Sequence, residues 1–302
     1  MIQPITRRAL VTGGSAGIGK ETVRALVAQG FEVIVAARDA RKGESVLAAI
    51  RAEHPGAQLG FHAVDMSDPV AVVQLAQSVQ ARWAHLDVLI LNAGLFTPAL
   101  RTGVTGHEFM FATTHLGHFM LTHQLLPLLE AAPAGRIVVT SSVAHFFAGG
   151  MDADVLQRPS SSTFLMAAPF RAYGRSKLAN LLFVRELARR LQGSRILVNS
   201  FHPGPVKTEI WRSTPGLFNA LIGPTLISER AGAQTQIFLA TDPSLVQAGQ
   251  HWFKKRVERG SPASRDPELA RWLWAFSEQA LGIRQFGRPQ GSVVELNQAR
   301  RA

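Results

Sequence analysis

The stretch Arg8 to Gly19, RALVTGGSAGIG, joins a short apolar run to a turn rich in glycine. A segment with helical periodicity, Lys20 to Ala28, follows at once. A phosphate site needs this order, because glycines let the backbone approach an anion and the first amides of a helix attract it. The spacing T-G-x-x-x-G-x-G differs from the G-x-G-x-x-G dinucleotide fingerprint, so the string alone is equally compatible with an ordinary glycine turn.

Apolar runs and helical patterns alternate along the rest of the chain. We predict further strands at 31–37, 58–64, 87–91, 136–141, 195–200 and 249–253, and helices at 42–53, 69–83, 106–129, 172–191, 228–241 and 267–281. This alternation predicts an α/β fold: one doubly wound (Rossmann) parallel sheet in three layers, forming a single domain over residues 1–284. An irregular apolar segment near 205–227 is typical of a substrate lid, and we expect residues 285–302 to form a polar, frayed tail.

Polar residues follow several of the predicted strands. Asp65 and Asn92-Ala93-Gly94 stand at two strand ends, and Ser142 at a third. Ligands of such sheets bind at the carboxyl ends of the strands, although each of these residues could instead cap a turn.

The end of the second strand bears on cofactor choice. An acidic residue there would bind the ribose hydroxyls of NAD, whereas an arginine would accept the 2′-phosphate of NADP. The position is Ala37, followed by Arg38, with Arg41 and Lys42 close behind. The pattern favours NADP over NAD; the alternative is that Arg38 is a solvated residue at a helix start.

Tyr173 and Lys177 are four residues apart in a predicted helix, so both lie on one face. A phenol exchanges protons poorly at neutral pH unless its anion is stabilised, and a nearby ammonium lowers its pKa. The pair therefore predicts acid–base catalysis, with an exposed Tyr and Lys on an ordinary helix as the alternative.

Composition excludes several classes of protein. The 302 residues contain no cysteine, which excludes disulfides and thiolate metal sites, and no apolar run reaches the roughly 18 residues of a spanning helix. We expect a cytoplasmic protein without a signal peptide. The formal charge of +11 is spread over helix faces without interleaved aromatics, so we predict affinity for phosphorylated small molecules and no specific nucleic-acid binding.

Two further groups of residues leave alternatives open. His115, His118 and His123 share one predicted helix; packing is favoured, and we predict no metal site. Apolar residues on the loop before Tyr173 suggest either a substrate wall or a satellite core: Phe146, Phe147, Met151, Phe164, Leu165, Met166 and Phe170.

Taken together, these motifs resemble the short-chain dehydrogenase/reductases over about residues 7–281, most closely the retinol-dehydrogenase and WW-domain-oxidoreductase group. The resemblance rests on TGGSAGIG (12–19), AARD (36–39), NAG (92–94), HLGHF (115–119), SS (141–142), YGRSKLAN (173–180) and HPGPVKT (202–208). It implies that Tyr173 exchanges a proton with the substrate oxygen, that Lys177 lowers the pKa of Tyr173 and binds the nicotinamide ribose, and that Ser142 hydrogen-bonds the substrate. The implied cofactor contacts are Gly13, Ser15, Gly17, Ile18, Gly19, Arg38, Asp65, Met66, Asn92, Ala93, Gly94, Tyr173, Lys177, Pro203, Gly204, Val206 and Thr208.

One position departs from the family pattern. Thr114 stands where the family has an asparagine that holds a water linked to the lysine. A hydroxyl makes fewer hydrogen bonds than a carboxamide, so we expect an altered proton relay.

The sequence therefore predicts an NADP-dependent oxidoreductase acting on a carbonyl or alcohol group of a bulky apolar substrate. The alternative is a nucleotide-sensing or scaffolding protein that keeps the fold without turnover. The family often pairs through the helices that contain His115 and Tyr173, so a homodimer or homotetramer is possible.

Overall fold

The computed structural model describes residues 6–157, 167–206 and 226–289. Within these ranges eight strands form one sheet: β1 (Arg8–Thr12), β2 (Glu32–Ala37), β3 (Leu59–Ala63), β4 (Val88–Leu91), β5 (Arg136–Thr140), β6 (Leu197–Phe201), β7 (His251–Phe253) and β8 (Arg256–Glu258). Their order is β3-β2-β1-β4-β5-β6-β7-β8, and every neighbouring pair is parallel except β7 with β8.

Helices connect the parallel strands. They are α1 (Gly17–Ala28), α2 (Ala40–Glu53), α3 (Pro69–Arg82), α4, α5 (Ala153–Gln157), α6 (Ala167–Arg190), α7 (Glu229–Thr241) and α8 (Pro267–Leu281). Helix α4 is continuous from a short α-helical turn (Phe109–Phe111) through a π-helical turn (Ala112–Leu116) to an α-helix (Gly117–Ala131). Short 3-10 helices follow β5 (Val143–Phe147) and precede α8 (Ala263–Arg265).

Alternate residues of the strands point to opposite faces of the sheet, as the pleat requires. Ala9 and Val11 of β1 belong to one buried cluster, which α1, α2 and α7 complete. Leu10 belongs to the other, which α3, α4, α6 and α8 complete. The predicted three-layer, doubly wound α/β fold is confirmed.

Strand β1 lies between β2 and β4 in the sheet. The chain runs outward from β1 through β2 to β3 and then returns to β4 on the other side. The crevice at the carboxyl ends of β1 and β4 is therefore the switch point at which folds of this kind bind ligands.

Two features differ from the sequence-based expectation. Helix α4 begins at Phe109 and contains a π-helical turn, a conformation that is frequent at functional sites and has no periodicity signal. Strand β8 was not predicted, since it is only three residues long and follows a turn at Lys254 and Lys255, which have φ of 47° and 60°. Such positive φ values are uncommon outside glycine.

The predicted tail begins with packed residues. The Phe286 ring lies 4.5 Å from that of Trp274 and 4.8 Å from that of Phe119, and the Gly287 N–H donates to His123 Nδ1 at 2.9 Å. The start of the predicted tail is therefore held by the packing of Phe286 and the hydrogen bond of Gly287. The polar composition of the tail did not predict these contacts. Residues 290–302 lie outside the described residues.

Most of the predicted lid, near 205–227, also lies outside the residues that the structure describes. Its two ends are joined, because Val206 and Ile227 form a parallel bridge and the Ile227 N–H donates to the Pro205 carbonyl at 2.8 Å.

Candidate active site

A cleft of about 480 Å³ opens at the switch point. Most of the predicted site residues line it: Gly13, Ser15, Gly17, Ile18, Arg38, Met66, Asn92, Ala93, Gly94, Ser142, Tyr173, Lys177, Pro203, Gly204 and Val206. The lining does not include Gly19, Asp65 or Thr114. Thr208 lies outside the described residues. The fold thus brings together segments that are far apart in the sequence.

The glycine turn packs tightly against Asn92. A Cβ at Gly19 would lie 2.6 Å from Asn92 Nδ2 and closer still to the Gly13 carbonyl oxygen, so no larger residue fits there without displacing the backbone. Gly13 itself has a φ of 67°, which favours glycine. Close packing of these segments explains why glycine occupies both positions.

Helix α1 begins at Gly17 directly below this turn. No side chain caps its N-terminus, and its first turn contains no acidic residue. The amides of an uncapped helix start attract an anion, since they carry the positive end of the helix dipole. The turn and the helix start together fit the pyrophosphate of a dinucleotide.

Asn92 holds the ends of β1 and β4 together. Its Nδ2 donates to the Thr12 carbonyl at 3.0 Å, and the backbone N–H groups of Asn92 and Ala93 donate to Thr12 Oγ1 at 2.9 and 3.0 Å. Asn92 thus ties the NAG segment to the end of β1, and its contact with the cofactor stays a prediction.

Arg38 is exposed at the end of β2 and borders the cleft. The neighbouring Asp39 caps α2, because its side chain accepts the Lys42 N–H at 3.0 Å. The first acidic group beyond β2 is therefore engaged in a helix cap, and the residue directly after β2 at the cleft is an arginine.

Asp65 is exposed at the rim of the cleft. Its carboxylate accepts hydrogen bonds from the Ser67 N–H at 2.9 Å and from the Ser67 hydroxyl at 2.8 Å. Val64 and Met66, on either side of it, line the cleft. The capping alternative noted for Asp65 is what the structure shows, and its predicted contact with adenine stays a prediction.

Ser142 and Tyr173 meet in the cleft. Ser142 begins the 3-10 helix after β5, and its Oγ accepts the Ala144 N–H at 3.2 Å. Burial raises the pKa of Tyr173 to about 12, and a hydrogen bond with the Ser142 side chain opposes that rise. The phenol is therefore a protonated donor at neutral pH.

Lys177 lies one helical turn from Tyr173 and is buried. Its Nζ donates to the Thr140 carbonyl at 3.3 Å and lies 5.6 Å from the centre of the Tyr173 ring. Burial lowers the pKa of Lys177 to about 8. Burial is the largest influence on the pKa of both groups, and the amine is directed at the carbonyl; the lowering of the tyrosine pKa by the lysine stays a prediction.

Thr114 lies in the π-helical turn of α4 and is fully buried. A Cβ placed on Gly94 would be 3.5 Å from Thr114 Oγ1 and 3.1 Å from Lys177 Nζ, so both polar groups flank the Gly94 backbone. Thr114 Oγ1 has no hydrogen-bond partner within the described part of the chain. An unpaired buried hydroxyl is uncommon and marks a position where a water would find a partner.

The histidines of α4 make separate hydrogen bonds. His115 Nε2 lies 2.8 Å from Ser277 Oγ, His118 Nε2 lies 3.0 Å from Thr12 Oγ1, and His123 Nδ1 accepts the Gly287 N–H. Burial lowers the pKa of His115 and of His118 to about 3, and that of His123 to about 4. The interpretation as packing and hydrogen-bonding residues is confirmed for these three.

Sequence reasoning assigned no site role to several residues of the cleft wall, among them Leu95, Thr113, Thr140 and Ser141. Thr140 ends β5, and its carbonyl also accepts from Asn180 Nδ2 at 3.0 Å, so it positions the helix that carries Lys177. Its place at a strand end is a signal that could have identified it.

Apolar residues stand beside Tyr173. The Phe96 ring lies 5.9 Å from the Tyr173 ring and 4.9 Å from that of Phe170. Phe146 and Phe147, by contrast, are exposed, and Met151 packs against the main core. Phe164, Leu165 and Met166 lie outside the described residues. Of the predicted apolar wall, Phe170 is the member shown next to the site.

Comparison with known proteins agrees with this geometry. The family model described as short chain dehydrogenase matches residues 7–215. The protein belongs to the short-chain dehydrogenases. As a member of that family it is an oxidoreductase acting on alcohol or carbonyl groups.

This dehydrogenase is 38% identical to mouse retinol dehydrogenase 12 over 279 residues, which cover 91% of this chain and 86% of the relative. It resembles the crystal structure of a Mycobacterium paratuberculosis protein with a TM-score of 0.72 and 32% identity, over 91% of this chain and 92% of the other. A short-chain dehydrogenase of Escherichia coli, solved in complex with NADPH, matches with a TM-score of 0.66 and 27% identity over 82% of this chain and 95% of the other.

Among the described helices of this dehydrogenase, none is long and apolar enough to cross a bilayer. Its cytoplasmic location and its oligomeric state stay predictions.

Proposed function

We propose that this protein is an NADP-dependent oxidoreductase that transfers hydride between nicotinamide and a carbonyl or alcohol group of a bulky apolar substrate of retinoid, steroid or lipid-aldehyde type. One observation carries the proposal: Ser142, Tyr173 and Lys177 line the same cleft as the glycine turn and Arg38. Proton-donating groups and a dinucleotide cradle thus share one crevice.

The roles follow from the chemistry of each side chain. Tyr173, protonated at neutral pH, donates its proton to the carbonyl oxygen in reduction and accepts it in the reverse reaction. Ser142 hydrogen-bonds the same oxygen, and Lys177 holds the ribose of the cofactor. Preorganised donors at an oxygen that gains charge are worth about 3 kcal/mol each. Bound NADPH supplies the hydride.

The preference for NADP rests on Arg38. A guanidinium presents several donors to a phosphate, whereas Ala37 offers nothing to ribose hydroxyls and Asp39 is engaged in capping α2. The Escherichia coli protein of similar fold, solved with NADPH, is in keeping with this choice.

An apolar substrate is favoured by the aromatic residues beside the phenol, Phe96 and Phe170. Apolar walls with a few polar groups are usual in pockets for such ligands. The similarity to proteins named retinol dehydrogenases points to the same substrate class.

Oxidation of NADPH and of NADH should be measured with all-trans-retinal, a long-chain aldehyde and a steroid ketone. We expect NADPH-dependent turnover that Tyr173→Phe reduces at least about 100-fold, while NADPH binding is kept. His54→Gln, at the end of α2, is the matched control. Turnover that persists in Tyr173→Phe would contradict the proposed role of the phenol.

The alternative is a nucleotide-sensing protein without turnover. The unpaired hydroxyl of Thr114, which replaces the relay asparagine of the family, favours it. NADPH binding with no turnover on any of these substrates would support this alternative.

A further inference from the structure

Three side chains outside the cleft converge at the end of the sheet that carries β6, β7 and β8. His202 follows β6, His251 begins β7 and Glu258 ends β8. His202 Nε2 lies 2.9 Å from Glu258 Oε2, and His251 Nε2 lies 3.8 Å from the same oxygen. One potential ligand atom from each residue falls within 4.8 Å of the others.

His251 supplies a second observation. Its side chain is 1% exposed, and its Nε2 has no hydrogen-bond partner among the residues that the structure describes. The other nitrogen, Nδ1, lies 3.0 Å from Ser200 Oγ, which itself donates to the Gln250 carbonyl at 3.4 Å. Nδ1 is therefore paired with Ser200 Oγ, and Nε2 is left facing the Glu258 carboxylate at 3.8 Å, beyond hydrogen-bond distance.

His202 is oriented toward the same point. Its ring stacks on Phe253 with centroids 4.1 Å apart, and its Nδ1 accepts the Gly204 N–H at a long 3.3 Å. Both rings are buried, which disfavours a positive charge on either imidazole. Neutral imidazole is the form that binds metal ions.

We propose that His202, His251 and Glu258 bind a divalent transition-metal ion, with Zn²⁺ the best fit. Two imidazoles and one carboxylate are a known zinc ligand set, and the ligand atoms of a tetrahedral zinc ion lie about 3.4 Å apart. The two separations to Glu258, 2.9 and 3.8 Å, lie on either side of that value, and all three ligand atoms fall within 4.8 Å of one another. The Glu258 side chain is 40% exposed, so an ion can reach the cluster from solvent.

The surrounding charges oppose the ion only in part. Arg185 lies close enough to disfavour positive charge at His251, and the His145 ring lies 5.5 Å from that of His251. The carboxylate of Glu258 opposes this repulsion. Binding at His202 Nε2 requires the ring proton to move to Nδ1, so the ion replaces the hydrogen bond to Glu258 and the long contact with the Gly204 N–H is given up.

The site connects to the cleft through its neighbours in sequence. His202 directly precedes Pro203 and Gly204 of the cleft wall, and His145 Nδ1 donates to the Ser142 carbonyl at 2.6 Å. A bound ion would join the outer β7–β8 hairpin to the segment that follows β6. Its role is thus to stabilise one wall of the cleft from behind.

The prediction of no metal site was based on the α4 histidines. The ligands proposed here come from three separate segments without a motif spacing, and only strand pairing brings them together.

The test is zinc titration by calorimetry on the full chain, produced without a polyhistidine tag and stripped with EDTA. We expect one Zn²⁺ per chain, with affinity lowered at least about 10-fold in His251→Gln and in Glu258→Gln. His54→Gln, which lies away from the cluster, should bind as the wild type does. The Co²⁺ form should show the visible absorption of a four-coordinate nitrogen and oxygen site, and Glu258→Gln should lose it.

Thermal unfolding in EDTA identifies any variant that fails to fold. If His251→Gln fails to fold, the zinc affinity of Glu258→Gln tests the proposal instead. Glu258 is partly exposed, so its substitution removes a ligand without opening the core. Wild-type protein that binds no zinc in the micromolar range overturns the proposal. So does zinc affinity that is equal in the wild type and Glu258→Gln.

Discussion

The Lys177 amine lies 5.6 Å from the centre of the Tyr173 ring and donates its hydrogen bond to the Thr140 carbonyl. Both side chains are buried, so desolvation governs their protonation more than their mutual contact does. The neutral form of each group is favoured: the pKa of Tyr173 rises to about 12, and that of Lys177 falls to about 8. This has a measurable consequence for stability.

Lys177 should make stability rise with pH in a defined window. Its pKa is about 8 in the folded protein, against the ordinary 10.5, so between these values the unfolded chain binds more protons than the native one. The difference in unfolding free energy between wild type and Lys177→Met should increase by about 2 kcal/mol from about pH 7 to about pH 9.5. Ionisation of tyrosine in the unfolded chain begins to oppose this above about pH 10.

Urea unfolding at the two pH values measures this difference. Lys254→Met, at an exposed lysine, is the matched control. If the difference in unfolding free energy between wild type and Lys177→Met is the same at both pH values, the amine is solvated in the native state.

Arg38→Ala should change cofactor preference without abolishing turnover. A charged hydrogen bond to phosphate is worth about 1.5–3 kcal/mol, so we expect KM for NADPH to rise about 10- to 100-fold while KM for NADH stays the same. Steady-state kinetics with both cofactors provide the measurement, and Arg41→Ala, which does not line the cleft, is the control. Equal effects of Arg38→Ala on both cofactors would disprove a contact with the 2′-phosphate.

Gly19→Ala should damage the cofactor site through sterics alone. The added methyl group would lie 2.6 Å from Asn92 Nδ2, so we expect a loss of about 1–3 kcal/mol in stability together with weaker NADPH binding. Fluorescence titration and urea unfolding measure the two effects. Gly150→Ala is a matched change, since its methyl group would meet nothing within 4 Å. Wild-type affinity in Gly19→Ala would argue against the tight turn.

Thr114→Asn should raise turnover. A carboxamide offers both donors and an acceptor, so it can hold a relay water more firmly than the hydroxyl, which lacks a partner in the described structure. Thr114→Val should lower turnover without loss of stability, because it removes an unpaired buried hydroxyl at nearly constant volume. If kcat is the same in all three proteins, proton passage does not run through this position.

Local sequence patterns are sufficient to predict the fold class and most of the residues that line the cleft. Strand and helix periodicities are local, and the residues after the strands, such as Asn92 and Ser142, reach one edge because parallel strands end together. Glycine at 13 and 19 and the Tyr173–Lys177 spacing are local signals of the same kind. These features depend on short stretches of chain, so they can be recognised before the chain is folded.

Three features of the site depend on the folded structure. The first is the burial that shifts the pKa of Tyr173 and of Lys177. The others are the unpaired hydroxyl of Thr114 in its π-helical turn and the cluster of His202, His251 and Glu258. Burial is a property of the whole core, and a pKa follows the packing of distant segments around a group. The β6–β7–β8 edge likewise forms by pairing between segments separated in sequence. No local pattern encodes such contacts, because they exist only once the sheet has assembled.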